Sequence, residues 1–385
     1  MDSLTQALGI ALLAAAASGS VYVLVAAALV STLRERDGVT RGPCPGVTIM
    51  KPLHGAEPGL RENLATFFEQ RYAGPVQMLL GVADEGDGAV PIARALMTSR
   101  PDVDATLIVG HGMAGANRKI STLVALEPHA RHDVIVLSDS DIAVPVDYLT
   151  CVTAALAAKG VCLVTCLYRG QPQGGLWARL ASMAIDHHFL PGVIVGVRLG
   201  LARPCFGSTI ALSRDTLGAI GGFRAFADHL ADDYAIGRAV RATGHAVAIP
   251  RLVIVHACPE TSLRDLLQHE LRWACTIRSV EPAAHAASVI AHPVALALLA
   301  AALLPAQAVT ATVVALALVA RIVLALRVDH TLGVPGTRAW LAPARDVLSF
   351  VVFVASFFVR SITWRGRRYR VRADGTLSPI GGPSR

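Results

Sequence analysis

No Cys-x-x-Cys pair occurs in this chain, although seven cysteines are present. Cys162 and Cys166 have no second ligand pair near them, so a zinc site is not expected and the thiols read as reduced and structural. Lysine is nearly missing: Lys51, Lys119 and Lys159 are the only three, and they do not cluster. The formal net charge of +7 therefore rests on arginine. The excess arginines sit mainly beside apolar segments, which argues against nucleic acid as a partner and for an anionic lipid leaflet. Charge of either sign is scarce, at 16% against 53% apolar residues. A mean hydropathy of +0.51 is too high for an ordinary cytosolic protein.

The apolar excess is concentrated. No basic region precedes the first run, which follows Met1-Asp2, and Ala7 to Val30 carries no charge. Its length of roughly 36 Å as a helix would cross a hydrocarbon core of about 30 Å, so an anchor is expected over 1–33 rather than a signal peptide. A second uncharged run, Val294 to Ala320, contains Pro305, which predicts either a kinked helix or the turn of a short hairpin. A third and weaker candidate, Leu341 to Trp364, is interrupted by Arg345, Asp346 and Arg360. Arg34 and Arg36 follow the first span, and Arg365, Arg367, Arg368, Arg370 and Arg372 follow the last. The positive-inside bias places both clusters in the cytoplasm, with an even number of crossings between them: one kinked span and one final span. The expected organisation is an anchor (1–33), a cytoplasmic domain (43–282), membrane or interfacial helices (283–364) and a basic cytoplasmic tail (365–385).

Between Pro43 and Pro282, short β-branched runs alternate with longer mixed segments, the pattern of an α/β domain. Strands are expected at Val47 to Met50, Val76 to Ala83, Ala105 to Val109, Val134 to Leu137, Val161 to Leu167 and Pro204 to Ser213, with two more between Ala246 and Val255. Helices are expected between the early strands, from Asp232 to Ala242, and from Thr261 to Val280 with Thr261 as N-cap. Gln171 to Arg203 reads as an amphipathic surface element or a buried helix. Ligands in open α/β sheets lie outside the carboxyl ends of strands, so Asp84 and the Asp139/Asp141 pair are expected on one rim.

Two carboxylates at positions i and i+2 after a strand can both bind one divalent cation, or one can bind metal while the other meets a ribose hydroxyl. Oxygen ligands suit Mg²⁺ or Mn²⁺, either of which would neutralise a diphosphate leaving group. A solvated acidic turn is the plain alternative. His256, after a late strand, can complete the metal shell or serve as a structural histidine. Asp232 and Asp233 begin a helix, where the macrodipole favours negative charge; one of them can be a general base for an acceptor hydroxyl, or both can simply cap. Arg272 offers a planar fork for phosphate oxygens and Trp273 a flat surface for a sugar or lipid; the alternative is a Trp packed in a core beside a solvated Arg. Asn117 and Lys119 are candidate donors to a nucleotide, or parts of a surface turn.

The ordered series Lys51-Pro52-Leu53, Asp84, Gly115-Ala116-Asn117-Arg118-Lys119, Ser138-Asp139-Ser140-Asp141-Ile142, Cys205-Phe206-Gly207-Ser208-Thr209, Leu230-Ala231-Asp232-Asp233-Tyr234 and His269-Glu270-Leu271-Arg272-Trp273 resembles the ceramide glucosyltransferase-like membrane glycosyltransferases. The similarity is greatest to the bacterial hopanoid-associated branch. It implies a GT-A fold with a mostly parallel central sheet, flanked by transmembrane helices in a bacterial inner membrane, and an inverting transfer of sugar from a UDP-sugar to a lipid hydroxyl. Asp84 would hold uridine, and Asp139 and Asp141 the metal and diphosphate. Asp233 matches the catalytic base and Asp232 stands where relatives often have Glu. Arg272 and Trp273 match the end of a (Gln/Arg)-x-x-Arg-Trp motif, whose first position is here His269. The branch implies UDP-N-acetylglucosamine as donor and bacteriohopanetetrol as acceptor. Glucosylation of ceramide or another lipid is the second expectation, and a processive polysaccharide synthase is disfavoured by the small number of spans. A non-catalytic nucleotide-binding membrane protein is the alternative of another class.

Overall fold

The computed structural model describes residues 3–34, 42–334, 336–359, 361–364, 367–371 and 376–379. Of the arginines that orient the chain, Arg36, Arg365 and Arg372 lie outside the described residues. In chain order, α1 (Ser3–Val30) is followed by β1 (Val47–Pro52), α2 (Leu60–Phe68), β2 (Val76–Val82), α3 (Ala89–Ser99) and β3 (Ala105–Val109). Next come α4 (Arg118–Leu126), β4 (Val134–Leu137), β5 (Ile142–Ala143), α5 (Tyr148–Leu156), β6 (Val161–Val164) and β7 (Leu167–Pro172). A π-helical turn, Ile185–Phe189, joins α6 (Leu176–Ala184) to α7 (Leu190–Arg198). The chain continues through β8 (Ile210–Ser213), α8 (Arg214–Ala219), α9 (Asp232–Ala242), β9 (Ala246–Ala248) and β10 (Val253–Cys258). Then follow α10 (Leu263–Val280), α11 (Pro282–Ala287), α12 (Pro293–Leu303), α13 (Ala308–Leu332) and α14 (Ala342–Ser356).

The chain forms two compact units, one of residues 36–174, 203–259 and 369–385, the other of residues 1–35, 175–202 and 260–368. The segments 175–202 and 260–282, expected within a continuous 43–282 domain, cluster with the apolar helices.

The first unit is an α/β sandwich around a seven-stranded sheet of order β3-β2-β1-β4-β8-β6-β9. Strands β1 to β4 run parallel, and β8 is antiparallel to β4 and β6. Every residue of β1 is buried, as is typical of parallel strands covered on both faces. Met50, Leu79, Ile135, Leu137 and Ile210 pack with Ile120, Leu123, Phe223 and Ile236 to form the core. Chain order reverses between β1 and β4, and such a switch point opens a crevice at the strand ends. A second sheet, β5-β10-β7, lies in the same unit. The expected strand over 161–167 is therefore two strands, one in each sheet. The expected strand from Pro204 shortens to β8, because Phe206 and Thr209 close a tight bridge instead.

Among the described residues of the second unit, four helices are long and apolar enough to cross a membrane: Ser3–Leu33, Leu176–Arg198, Ala308–Leu332 and Ala339–Ser356. A fifth crossing is possible if Pro282–Ala291 and Pro293–Leu303, bent by 71°, form one span. Pro305 falls in the break between α12 and α13, so the second apolar run is two helices and not one kinked helix. Gly9 and Gly19 let α1 approach its neighbours closely: a Cβ on Gly9 would lie 2.7 Å from Leu304, and one on Gly19 would strike the Ile290 carbonyl. Arg345 and Asp346, which interrupt the last apolar run in sequence, are turned inward and paired. Asp346 meets Arg321 Nε at 2.8 Å and Arg345 meets Glu270 at 2.6 Å, while His187 meets Asp329 at 2.8 Å. Pairing of this kind lets ionisable groups sit among apolar helices.

Candidate active site

Parallel pairing aligns Met50 with both Leu79 and Leu137, so β1, β2 and β4 end on one edge of the sheet. Asp84 lies just past β2, exposed, with its Oδ1 accepting from the Gly86 amide at 2.7 Å. Asp139 and Asp141 follow β4 on that same edge. Because β8 runs antiparallel and starts opposite Leu137, it delivers Gly207 to the edge as well. The Gly207 carbonyl accepts from the Asp139 amide at 3.3 Å, and its own amide donates to Asp233 Oδ2 at 2.9 Å. One glycine thus joins the acidic loop to the first turn of α9. A Cβ there would lie 2.7 Å from both Asp139 Oδ2 and Lys119 Nζ, so any larger residue requires these two side-chain ends to shift.

Lys119 occupies the middle of the crevice. Its Nζ lies 2.8 Å from Asp139 Oδ1 and 3.1 Å from Asp232 Oδ2. Burial works against the ammonium, but Asp139, Asp232 and Asp233 outweigh it and raise its pKa, so Lys119 stays charged. Asn117 caps α4 by accepting from the Ile120 amide, and its Nδ2 donates to the His229 carbonyl at 2.9 Å and Asp232 Oδ1 at 3.1 Å. The two residues read as nucleotide donors are thus placed against Asp232, with Asn117 fully enclosed.

The adjacent acids of α9 have different surroundings. Asp232 is buried against Asn117 and Lys119, whereas Asp233 accepts from the Gly207 and Tyr234 amides. Burial, reinforced by the charge of Asp232, pushes the Asp233 carboxyl up to about 6. A carboxylate poised there is nearly ionised at neutral pH and is still basic enough to take a proton from a hydroxyl.

On the other side of the loop, His256 comes from the middle of β10, where it pairs with Ile142 and Gly170. Its Nε2 stands 3.2 Å from Asp141 Oδ2, and its ring stacks on Tyr168 at 5.5 Å between centroids. Although burial opposes it, Asp141 raises the imidazole pKa well above the usual value. By donor type the carboxylates of Asp139 and Asp141 suit Mn²⁺ or Mg²⁺. Asp139 is turned to Lys119 and His256 to Asp141, and the three do not form one metal-sized cluster; among the described residues His188, His292 and Asp346 do.

Several residues important to this geometry carry no role in the sequence reading. Lys51, inside buried β1, donates to Ser138 Oγ at 3.3 Å and to the Asp139 carbonyl, and sits 3.8 Å over the Phe67 ring. Burial pushes its ammonium down to about 7, against the pull of Asp139, Asp141 and Glu57. Glu57 accepts from Ser140 Oγ at 2.7 Å, fixing the residue between the two loop acids. A lysine within an otherwise apolar strand is itself a signal; for Glu57 the sequence offers none.

His269, Arg272 and Trp273 belong to the other unit, on α10. Ser262, not Thr261, caps this helix, accepting from the Asp265 amide at 3.1 Å. His269 Nδ1 meets Glu260 Oε1 at 2.6 Å, and its ring stands edge-on to Trp273 at 4.5 Å. Trp273 also faces Phe189, 6.4 Å between centroids.

The fold is similar to that of a solved mannosyltransferase of Pyrobaculum calidifontis, described in complex with GDP-Man and Mn²⁺. The similarity has a TM-score of 0.54 at 22% identity and covers 92% of this chain and 98% of that one. The fold is thus GT-A. Among curated proteins, Ceramide glucosyltransferase 3 of Caenorhabditis elegans is 29% identical over 236 residues, covering 60% of this chain and 50% of its own length. Ceramide glucosyltransferase 1 of the same organism is 26% identical over 206 residues, or 53% of this chain and 44% of its length. The chain spans about half the length of these relatives. The sequence profile of glycosyl transferase family 21 matches residues 11–377, nearly the whole chain. This protein belongs to glycosyl transferase family 21.

Proposed function

We propose that this protein transfers a sugar from a UDP-sugar to a hydroxyl group of a membrane lipid, with inversion at the anomeric carbon. The observation that carries the reading is Asp233: a carboxylate shifted to about 6, held by two backbone amides beside the loop of Asp139 and Asp141. Asp233 takes the proton of the acceptor hydroxyl as its oxygen attacks the anomeric carbon. Asp232, fixed by Asn117 and Lys119, lines the acceptor side and keeps a negative charge next to the base. Asp84 holds the uridine. Asp139, Asp141 and His256 would hold Mg²⁺ or Mn²⁺, which would supply positive charge against the departing diphosphate. Lys119 adds a fixed positive charge in the crevice, Arg272 a fork for diphosphate oxygens, and Trp273 with His269 an apolar and polar surface for sugar or acceptor.

The names of the relatives support a ceramide-type acceptor and glucose as the sugar. That reading is preferred over N-acetylglucosamine transfer to bacteriohopanetetrol, which rests on the motif resemblance alone. The apolar helices support delivery of the acceptor from a bilayer, and the flanking arginines support a catalytic unit on the cytoplasmic face. The test is product identification. Membranes containing the protein are incubated with UDP-glucose or UDP-N-acetylglucosamine and with ceramide or bacteriohopanetetrol, and the lipids are analysed by mass spectrometry. A hexosyl lipid that depends on the protein is expected; retention of UDP with no glycolipid from any pair would refute transfer.

A further inference from the structure

Helix α10 carries Glu270 two residues before Arg272. At about 100° per residue these side chains leave the helix about 200° apart, so whatever fixes Glu270 also fixes the direction of Arg272. Glu270 Oε1 accepts from Arg345 Nη2 of α14 at 2.6 Å. Arg345 is only 1% exposed, and among the described residues its Nε and Nη1 have no hydrogen-bond partner and Glu270 is its one anionic contact. Two turns further along α10, Arg278 donates to the carbonyl of Ser356, the last residue of α14, and at 2.9 Å to that of Val359 just past it. Position 278 lies about 80° around the helix from position 270, so both anchors sit on the side of α10 turned away from Arg272.

We infer that Arg345 is a positioning residue: by gripping Glu270 it sets the rotation of α10 about its own axis and thereby aims Arg272. The inference rests on the diphosphate role proposed above for Arg272. A buried guanidinium with one carboxylate partner tolerates few arrangements, so the pair specifies orientation even where it adds little stability. Rolling a helix of about 10–12 Å diameter by about 30° moves a side-chain tip by about 3 Å. Misplacement of a binding group by about 1 Å already costs about 100-fold in rate.

The test uses the full chain in lipid nanodiscs, with donor and acceptor KM measured for the wild type, Arg345→Met, Glu270→Gln and the exchanged pair Glu270→Arg with Arg345→Glu. Arg345→Met is expected to raise donor KM about tenfold or more with acceptor KM nearly constant, Glu270→Gln to do so less, and the exchanged pair to recover most of the loss. Should Arg345→Met fail to fold, Glu270→Gln, which keeps volume and an acceptor for Nη2, carries the test. Unchanged donor KM in the folded single variants overturns the inference, as does an equal loss toward donor and acceptor, which marks a purely structural pair. If the wild type transfers no sugar, the functional reading has failed instead. UDP affinity by calorimetry then replaces donor KM, with the same expected order among the variants.

Discussion

Asp232 and Asp233 are neighbours in sequence and opposites in surroundings. Asp232 faces a lysine and an asparagine side chain, while Asp233 faces two backbone amides and is pushed to about 6 by burial and by Asp232. Asp233→Asn keeps shape and removes basicity, so turnover should fall by about 10² to 10⁴ while UDP affinity by calorimetry stays close to wild type. An equal loss of UDP affinity would assign Asp233 to the donor site. The raised pKa also fixes the sign of the pH dependence: Asp233 is ionised and competent above about pH 6 and takes up a proton below it. The turnover profile should therefore fall tenfold per unit below about pH 6, whereas a carboxylate at its ordinary value near 4 would hold activity through pH 5. A Cβ at Gly207 would meet the side-chain ends of Asp139 and Lys119 at 2.7 Å, so a larger residue there requires both to shift.

Among the elements, the loop from β4 to β5 decides the metal chemistry. Among its polar tethers are Lys51 to the Asp139 carbonyl, Glu57 to Ser140 and His256 to Asp141. Lys51 and Glu57 come from β1 and the loop after it, His256 from β10, and together they hold the loop in place. Chelation with EDTA should abolish transfer and Mn²⁺ or Mg²⁺ should restore it, with His256→Ala requiring more metal for half-maximal rate. Activity that survives EDTA would remove the metal from the proposal. The acids at the end of β4 were legible in the sequence because a buried parallel strand announces its own carboxyl end. The division of 161–172 between two sheets was not, because β-branched residues fit both strands and only the partners β8 and β10 separate them.

For the molecule as a whole, the apolar helices give an expectation about the membrane. The protein should stay in the pellet after alkaline carbonate washing and leave it only with detergent; release by carbonate would mean peripheral attachment. The sequence reading saw the first apolar run clearly and underestimated the others. Arg345, Asp346 and Asp186-His187-His188 look like interruptions in a linear text. Arg345, Asp346 and His187 each meet a partner on another helix, and by length and composition the same stretches are long and apolar enough to cross a membrane.

The sequence alone determined the ends of β3 and β4, which helix begins with two acids and where the chain is apolar enough for lipid, because hydrophobic period and run length are local properties. Only the tertiary structure decided how the surroundings of Asp232 and Asp233 differ, that Lys119 is held by Asp139 and Asp232, and that Arg345 answers Glu270. Those depend on desolvation and on partners 20, 113 and 75 positions apart, from Lys119 to Asp139, from Lys119 to Asp232 and from Glu270 to Arg345. No local pattern encodes them, since the energy of a buried charge is set by what folding places beside it.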